Sequence, residues 1–259
     1  KRADSISAGM DRYDDEAEGE DYKKTRLYSI FDIIELQYSI IDKKGNVNPR
    51  WHYLLQPLQE DNTDTIFPSF REDNVKDDFS KQKAVEEYKN LWNKFEEEVR
   101  SIQHHKNPRL YFNELYWLLE KYTWCIPSAT NAFPDISLFD HMKTTAAIAS
   151  IIYKTGLDIK FGRNEYLIYA GDVSGIQDYI FGISEAQGVG GIAKRLRGRS
   201  FFINMLSETL ARHILEKLGY TQANINFCGG GNFELLLANT QSTKSFLEDF
   251  EKNLNVWLL

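Results

Sequence analysis

Two places in this chain carry residues suited to phosphate chemistry. Asp172 follows the apolar run YLIYA (166–170) and leads into Val173-Ser174-Gly175. Gly229-Gly230-Gly231-Asn232 separates two further apolar runs, 224–228 and 233–239, so the hairpin should lie on the strand beside Asp172. A pair of divalent ions acting on phosphates needs several anionic oxygens close together. Asp172 supplies one carboxylate and the hairpin supplies only Gly and Asn, a poor cage for two metals. Consecutive glycines can instead present backbone N–H groups to an anion. Lys194, Arg195, Arg197 and Arg199 lie at or just before the start of a helix expected over 199–218. Cations there oppose the positive end of the helix dipole unless an anion is bound, so they point to a phosphate of ATP or RNA. A tight glycine turn with an exposed basic loop stays open as the plainer reading. The glycine-rich segment 188–191 is not followed by Gly-Lys-Ser/Thr, so no P-loop is present.

The elements that position these residues read as an α+β chain. Arg26 to Pro57 holds two β-rich runs around the turn Asp42-Lys43-Lys44-Gly45-Asn46, and a hairpin is expected there. Residues 13–24 and 59–83 are polar and acidic and read as loops or linkers. Ala84, Tyr88, Leu91, Trp92, Phe95, Val99 and Ile102 recur at helical spacing and predict a helix that ends near His104 and His105. Two imidazoles at that end suit its negative pole. Further helices are expected over 109–122 and 138–153. Past Gly162 the order becomes β-α-β-β-α, with 166–170 an unbroken apolar strand covered on both faces. That order is a ferredoxin-like arrangement without its last strand. Phe246, Leu247, Phe250, Leu254, Val256, Trp257 and Leu258 read as a helix still running at the last residue, so the chain is expected to continue at both ends.

Composition narrows the function classes. A net charge of −7 over 259 residues argues against a surface that coats nucleic acid everywhere, while allowing a local basic groove. No apolar run reaches the length of a membrane span. Cys125 and Cys228 are far apart without metal-ligand spacing, which fits small buried apolar side chains and a cytoplasmic location.

Three segments together resemble one family. YLIYAGDVSGIQDYIF, GIAKRLRGRSFFINMLSETLARHIL and NINFCGGGNFELLLANT are similar, in order, to the first palm domain of the large subunit of type III-A (Csm-type) CRISPR effector complexes. EKYTWCIPSATNAFPDISLFDHMKTTAAIASIIY resembles the stretch joining that family's HD nuclease domain to its palm, and ADSISAGMDR the segment after the HD dyad. The resemblance implies the later part of a permuted, mostly helical HD-type domain with its linker over 1–155, and a degenerate first palm over 163–259. It implies antiviral defence, cyclic oligoadenylate synthesis from ATP and metal-dependent cutting of single-stranded DNA by the complete protein. This piece would be inactive alone, since the second palm and the His-Asp dyad lie outside it. Ser174, Gly175, Gly229, Gly230, Gly231 and Asn232 would contact nucleotide, with Asp172 positioning it and Mg²⁺ or Mn²⁺ at the pocket. Asp4 and His141 would hold a transition metal at the HD site. Other Csm-type subunits, guide RNA, target RNA and single-stranded DNA would be partners. The alternatives are a scaffold module that docks those subunits and guide RNA, and a cyclase or HD phosphohydrolase outside CRISPR.

Overall fold

A computed structural model describes residues 1–11, 21–32, 51–59, 66–70, 77–103, 105–130, 133–156, 165–182 and 191–258. Its elements are α1 (Arg2–Asp11), β1 (Trp51–His52), β2 (Ser69–Phe70), α2 (Asp77–Ser101), α3 (Pro108–Thr123), α4 (Leu138–Thr155) and β3 (Tyr166–Asp172). They continue with α5 (Ile176–Phe181), α6 (Ile192–Leu218), β4 (Ile225–Gly229), β5 (Asn232–Ala238) and α7 (Gln241–Leu258). The chain is therefore mixed helix and sheet, as the hydrophobic periodicities predict. It divides into two compact units, Ser7–Met142 and Lys1–Ile6 with Lys143–Leu259. The division falls inside α4 and not between 155 and 163, because the later part of α4 packs with the second unit. There Ser150 and Asn224 exchange side-chain hydrogen bonds (3.1–3.2 Å) and Lys154 Nζ donates to Leu218 O (2.7 Å).

The Ser7–Met142 unit is built on α2 and α3. Leu55, Ala84, Leu91, Tyr122 and Cys125 form its core, with Tyr53, Tyr88, Phe95, Leu118, Trp124 and Ile126 packed around them. Asn107 starts α3 by accepting from the Arg109 and Leu110 N–H groups, and Pro108 at the first helical position loses no internal hydrogen bond. Two expectations need correction. Residues 59–83 are not one loop: β2 lies within them and α2 begins at Asp77, since acidic and polar residues favour a helix's first turn as readily as a linker. Of the expected hairpin the described residues show a single antiparallel bridge, Tyr28 to His52; Ile30–Asp32 in its first run is a 3-10 turn, and β1 pairs with β2 instead. Its expected turn, 42–46, lies outside the described residues, as do His104 and the glycine-rich segment 188–190.

Two ionic contacts stiffen this unit. Arg26 and Glu87 meet at 2.6 Å with the Arg26 side chain 6% exposed, and Leu55 N–H also donates to Glu87 (3.3 Å). Glu98 accepts from Lys121 (2.7 and 2.9 Å) and from the Tyr122 hydroxyl (2.7 Å). Burial pushes the Glu98 carboxyl up, but these donors outweigh it and hold its pKa below the ordinary range. A depressed carboxyl stabilises the fold above the unfolded pKa and loses that contribution as pH falls through the folded value. Acid should therefore lower the denaturant midpoint of this unit, and Glu98→Gln should flatten that dependence. Equal acid slopes for both proteins would show that Glu98 is not responsible. Cys125 is fully buried and burial pushes its thiol up to about 12, so it behaves as an apolar core residue.

In the other unit, β3, β5 and β4 form an antiparallel sheet in that order, so β3 and β4 run parallel with β5 between them. One face carries Phe233, Leu235 and Leu237, packed with Ala211, Ile214 and Leu215 of α6 and Leu247 of α7. The expectation that 166–170 is covered on both faces does not hold. The strand runs on to Asp172, and Ile168 on the other face is 60% exposed. A short apolar run cannot by itself distinguish a doubly covered strand from one with a partly open apolar face.

Candidate nucleotide site

Strand register assembles the site. Gly229 of β4 lies opposite Asn232 of β5, which lies opposite Asp172 of β3, so the three form one row across the sheet. Gly230 and Gly231, with φ of +62° and +92°, make the two-residue turn between β4 and β5, and positive φ at both positions is what a type I′ hairpin demands. The turn is anchored on both sides. Val173 N–H donates to Gly231 O (3.0 Å), and Gly230 N–H donates to Asn204 Oδ1 of α6 (3.1 Å). A Cβ on Gly231 would strike the Ile176 side chain, so the hairpin is seated directly on the start of α5. Gly171 is fixed in the same way: a Cβ there would meet the Phe233 ring.

Asp172, Ser174, Gly175, Gly229, Gly230, Gly231 and Asn232 are thus gathered around one hairpin, and Asp172, Ser174, Gly175, Gly230 and Asn232 are exposed. Gly175 adopts φ +73° ahead of α5, a short helix that the β-α-β-β-α reading does not contain. Sequence reasoning also passed over Asn204 and Phe227. Asn204 is the polar residue in the run FFINML and carries the Gly230 N–H. Phe227 is 57% exposed, and its ring lies 3.6 Å from where a Gly229 Cβ would stand.

The basic cluster is placed differently from the expectation. α6 begins at Ile192, with Gly191 at φ +100° before it, so Lys194, Arg195, Arg197 and Arg199 lie inside the helix and not ahead of it. Nothing in 192–198 except Gly198 disfavours a helix, and one glycine is tolerated at a cost of about 1 kcal/mol against alanine. Arg199 has an internal duty: Nη1 donates to Tyr179 O (2.6 Å) at the end of α5, with its guanidinium 5.4 Å from the Tyr179 ring centroid. Lys194 is about 14 Å along the helix from Ile203, which meets the hairpin, at ~1.5 Å per residue.

The metal candidates form no complete set. Asp4 is exposed in the first turn of α1. In the Ser7–Met142 unit the buried Ser7 hydroxyl lies 3.3 Å from His141 Nδ1 and 3.3 Å from His141 O. Among the described residues no group of three or more His, Cys, Asp or Glu could hold a metal ion. One carboxylate and one imidazole fall short of the ligands a transition metal needs. At the hairpin, Asp172 is the one carboxylate in its row. Among the described residues no helix is long and apolar enough to cross a membrane.

Comparison with known proteins bears on the whole chain. Residues 165–259 match the family model described as Csm1 subunit domain B. A Methanocaldococcus jannaschii protein, the CRISPR system single-strand-specific deoxyribonuclease Cas10/Csm1 of subtype III-A, is 32% identical over 270 residues, which take in 90% of this chain and 30% of that relative. The crystal structure of a Csm1–Csm4 cassette in complex with one ATP superposes with TM-score 0.66 at 25% identity, covering 95% of this chain and 28% of the other. A Csm1–Csm4 cassette in complex with cA4 gives TM-score 0.65 at 27% identity, covering 96% of this chain and 29% of the other. The chain therefore spans about 30% of the length of the relatives it matches.

Proposed function

We propose, from the premise that this chain belongs to the Cas10/Csm1 family of type III-A CRISPR large subunits, that its β3–α7 part is a ferredoxin-like palm forming one wall of an ATP site for cyclic oligoadenylate synthesis. The row Gly229–Asn232–Asp172 carries this reading. It sets a side-chain amide, a carboxylate and a side-chain-free backbone edge in line, open to solvent. Asn232 hydrogen-bonds a base or ribose, the Ser174–Gly175 and Gly229–Gly231 backbone approaches the phosphates, and Asp172 orients the nucleotide. The solved Csm1–Csm4 cassettes in complex with one ATP and with cA4 support nucleotide binding by this family.

Asp172 alone cannot balance the charge of Mg²⁺ or Mn²⁺, so further carboxylates belong to a second palm elsewhere in the complete protein. Lys194, Arg195 and Arg197 meet phosphate of a ligand longer than one nucleotide. Asp4 and His141 are each assigned to metal binding in an HD-type nuclease, and each needs ligands beyond those the described residues supply. The protein works in the cytoplasm with other Csm-type subunits, guide RNA, target RNA and single-stranded DNA.

The test is synthesis of cyclic oligoadenylate from labelled ATP by the complete effector with guide RNA, target RNA and Mg²⁺. Asn232→Ala leaves the exposed hairpin folded and should lower product at least tenfold. Undiminished product would remove this palm from the pocket and leave it as a scaffold that docks subunits and guide RNA.

A further inference from the structure

His141 is held from two directions within the Ser7–Met142 unit. Along the backbone, Ser137 caps the start of α4. Its Oγ accepts from the Asp140 N–H (3.0 Å) and donates to Asp140 Oδ2 (2.7 Å), and the His141 N–H donates to Ser137 O (3.1 Å). That fixes the first turn of the helix, and with it the point from which the imidazole projects. Across from it stands Ser7 of α1, which is fully buried. A serine inside a helix commonly returns its hydroxyl to the carbonyl four residues back, as Ser5 does to Lys1 O (3.0 Å). The Ser7 hydroxyl faces α4 instead, 3.3 Å from His141 Nδ1 and 3.3 Å from His141 O.

Proton counting selects one state of the ring. A hydroxyl has one proton to give and lone pairs with which to accept, whereas a carbonyl only accepts. The Ser7 proton therefore goes to His141 O. What the hydroxyl then offers Nδ1 is a lone pair, so Nδ1 must carry a proton of its own. The opposite assignment, with the Ser7 proton on Nδ1, sets hydroxyl and carbonyl lone pairs against each other at a buried position.

We infer that Ser7 is a positioning residue: its hydroxyl holds His141 as the Nδ1–H tautomer and leaves the ring's lone pair on Nε2. The inference rests on the reading of His141 as a metal ligand of an HD-type nuclease, and it names the nitrogen that does the ligating. A metal-ligating histidine donates its other ring N–H to a fixed acceptor, which sets both the tautomer and the direction of the ring. Here the acceptor is a hydroxyl that is itself tied to the backbone of the residue it orients. The contact lies inside the described chain and calls on no exposed surface.

The experiment is solid-state ¹⁵N NMR of the complete protein, labelled at histidine and stripped of metal, at mildly alkaline pH. Protonated and bare ring nitrogens give well-separated signals, and His141→Gln identifies those of His141. The wild type should show Nδ1 protonated. Ser7→Ala should move the proton to Nε2, the tautomer free histidine prefers, and Ser7→Thr should keep it on Nδ1. Titration with Ni²⁺ alone should show a binding step that His141→Gln removes. That step should weaken at least tenfold in Ser7→Ala and recover in Ser7→Thr. A wild-type ring protonated on Nε2, or a Ser7→Ala ring still protonated on Nδ1, overturns the inference. The wild-type spectrum decides even where Ser7→Ala fails to fold. A shifted tautomer without any His141-dependent Ni²⁺ step would uphold the hold of Ser7 on the ring and remove His141 from the metal site, so the two failures are separately visible.

Discussion

Gly231→Ala is expected to lower the stability of the sheet unit by about 2–3 kcal/mol, from the left-handed backbone and displacement of a packed side chain together. Gly231 has φ +92°, where a Cβ is disfavoured whatever space surrounds it, and here the Cβ also strikes Ile176. Gly230→Ala separates the two contributions. Its φ is +62° and nothing lies within 4 Å of its Cβ, so only the backbone cost of about 1 kcal/mol remains. In a unit of this size the larger change should lower Tm by about 10 °C or more. Equal melting temperatures for the two variants would show that the hairpin is not seated on α5. Because the same contact positions Ser174 and Gly175 beside Asn232, Gly231→Ala should also impair nucleotide binding at temperatures where the unit is still folded.

Glu87→Leu should cost the helical unit about 3 kcal/mol or more, because it leaves the Arg26 guanidinium buried without its counter-charge. Arg26 Nε is already buried with no hydrogen-bond partner, so the ion pair stands on its Nη1 contact with Glu87. The double replacement Arg26→Met with Glu87→Gln removes both charges, fills similar volume and keeps an acceptor for the Leu55 N–H. It should return to within about 1 kcal/mol of the wild type. Urea titrations of the three variants provide the measurement. A double variant as unstable as Glu87→Leu would mean that lost packing, and not the uncompensated charge, is the cost. Neither Arg26 nor Glu87 stands out in the sequence: a basic residue before an apolar run and an acid on a helix look like solvent-facing residues.

Much of the site was legible because its signals are local. Three glycines between two apolar runs specify a tight turn, and Asp172 after YLIYA specifies a carboxylate at a strand end. The start of α6 was misjudged because basic residues and a glycine ahead of RSFFIN resemble a loop, and helix starts are weakly encoded when no side chain caps them. Asn204 was invisible because its role is a bond to Gly230, which is 26 residues away. The open face of β3 was misread because YLIYA is apolar throughout, and hydrophobicity does not say how many layers cover a strand.

The sequence by itself determined the α+β class, the presence of the longer helices, the glycine turn and the family resemblance, since each depends on spacing within a short segment or on several such segments in order. Only the tertiary structure decided that Gly229, Asn232 and Asp172 share one row and that Arg199 is tied to α5. The physical reason is that register and helix docking arise from contacts between residues far apart in the chain. Those contacts are set by the packing of Phe233, Leu235 and Leu237 against α6 and α7, which no local pattern specifies.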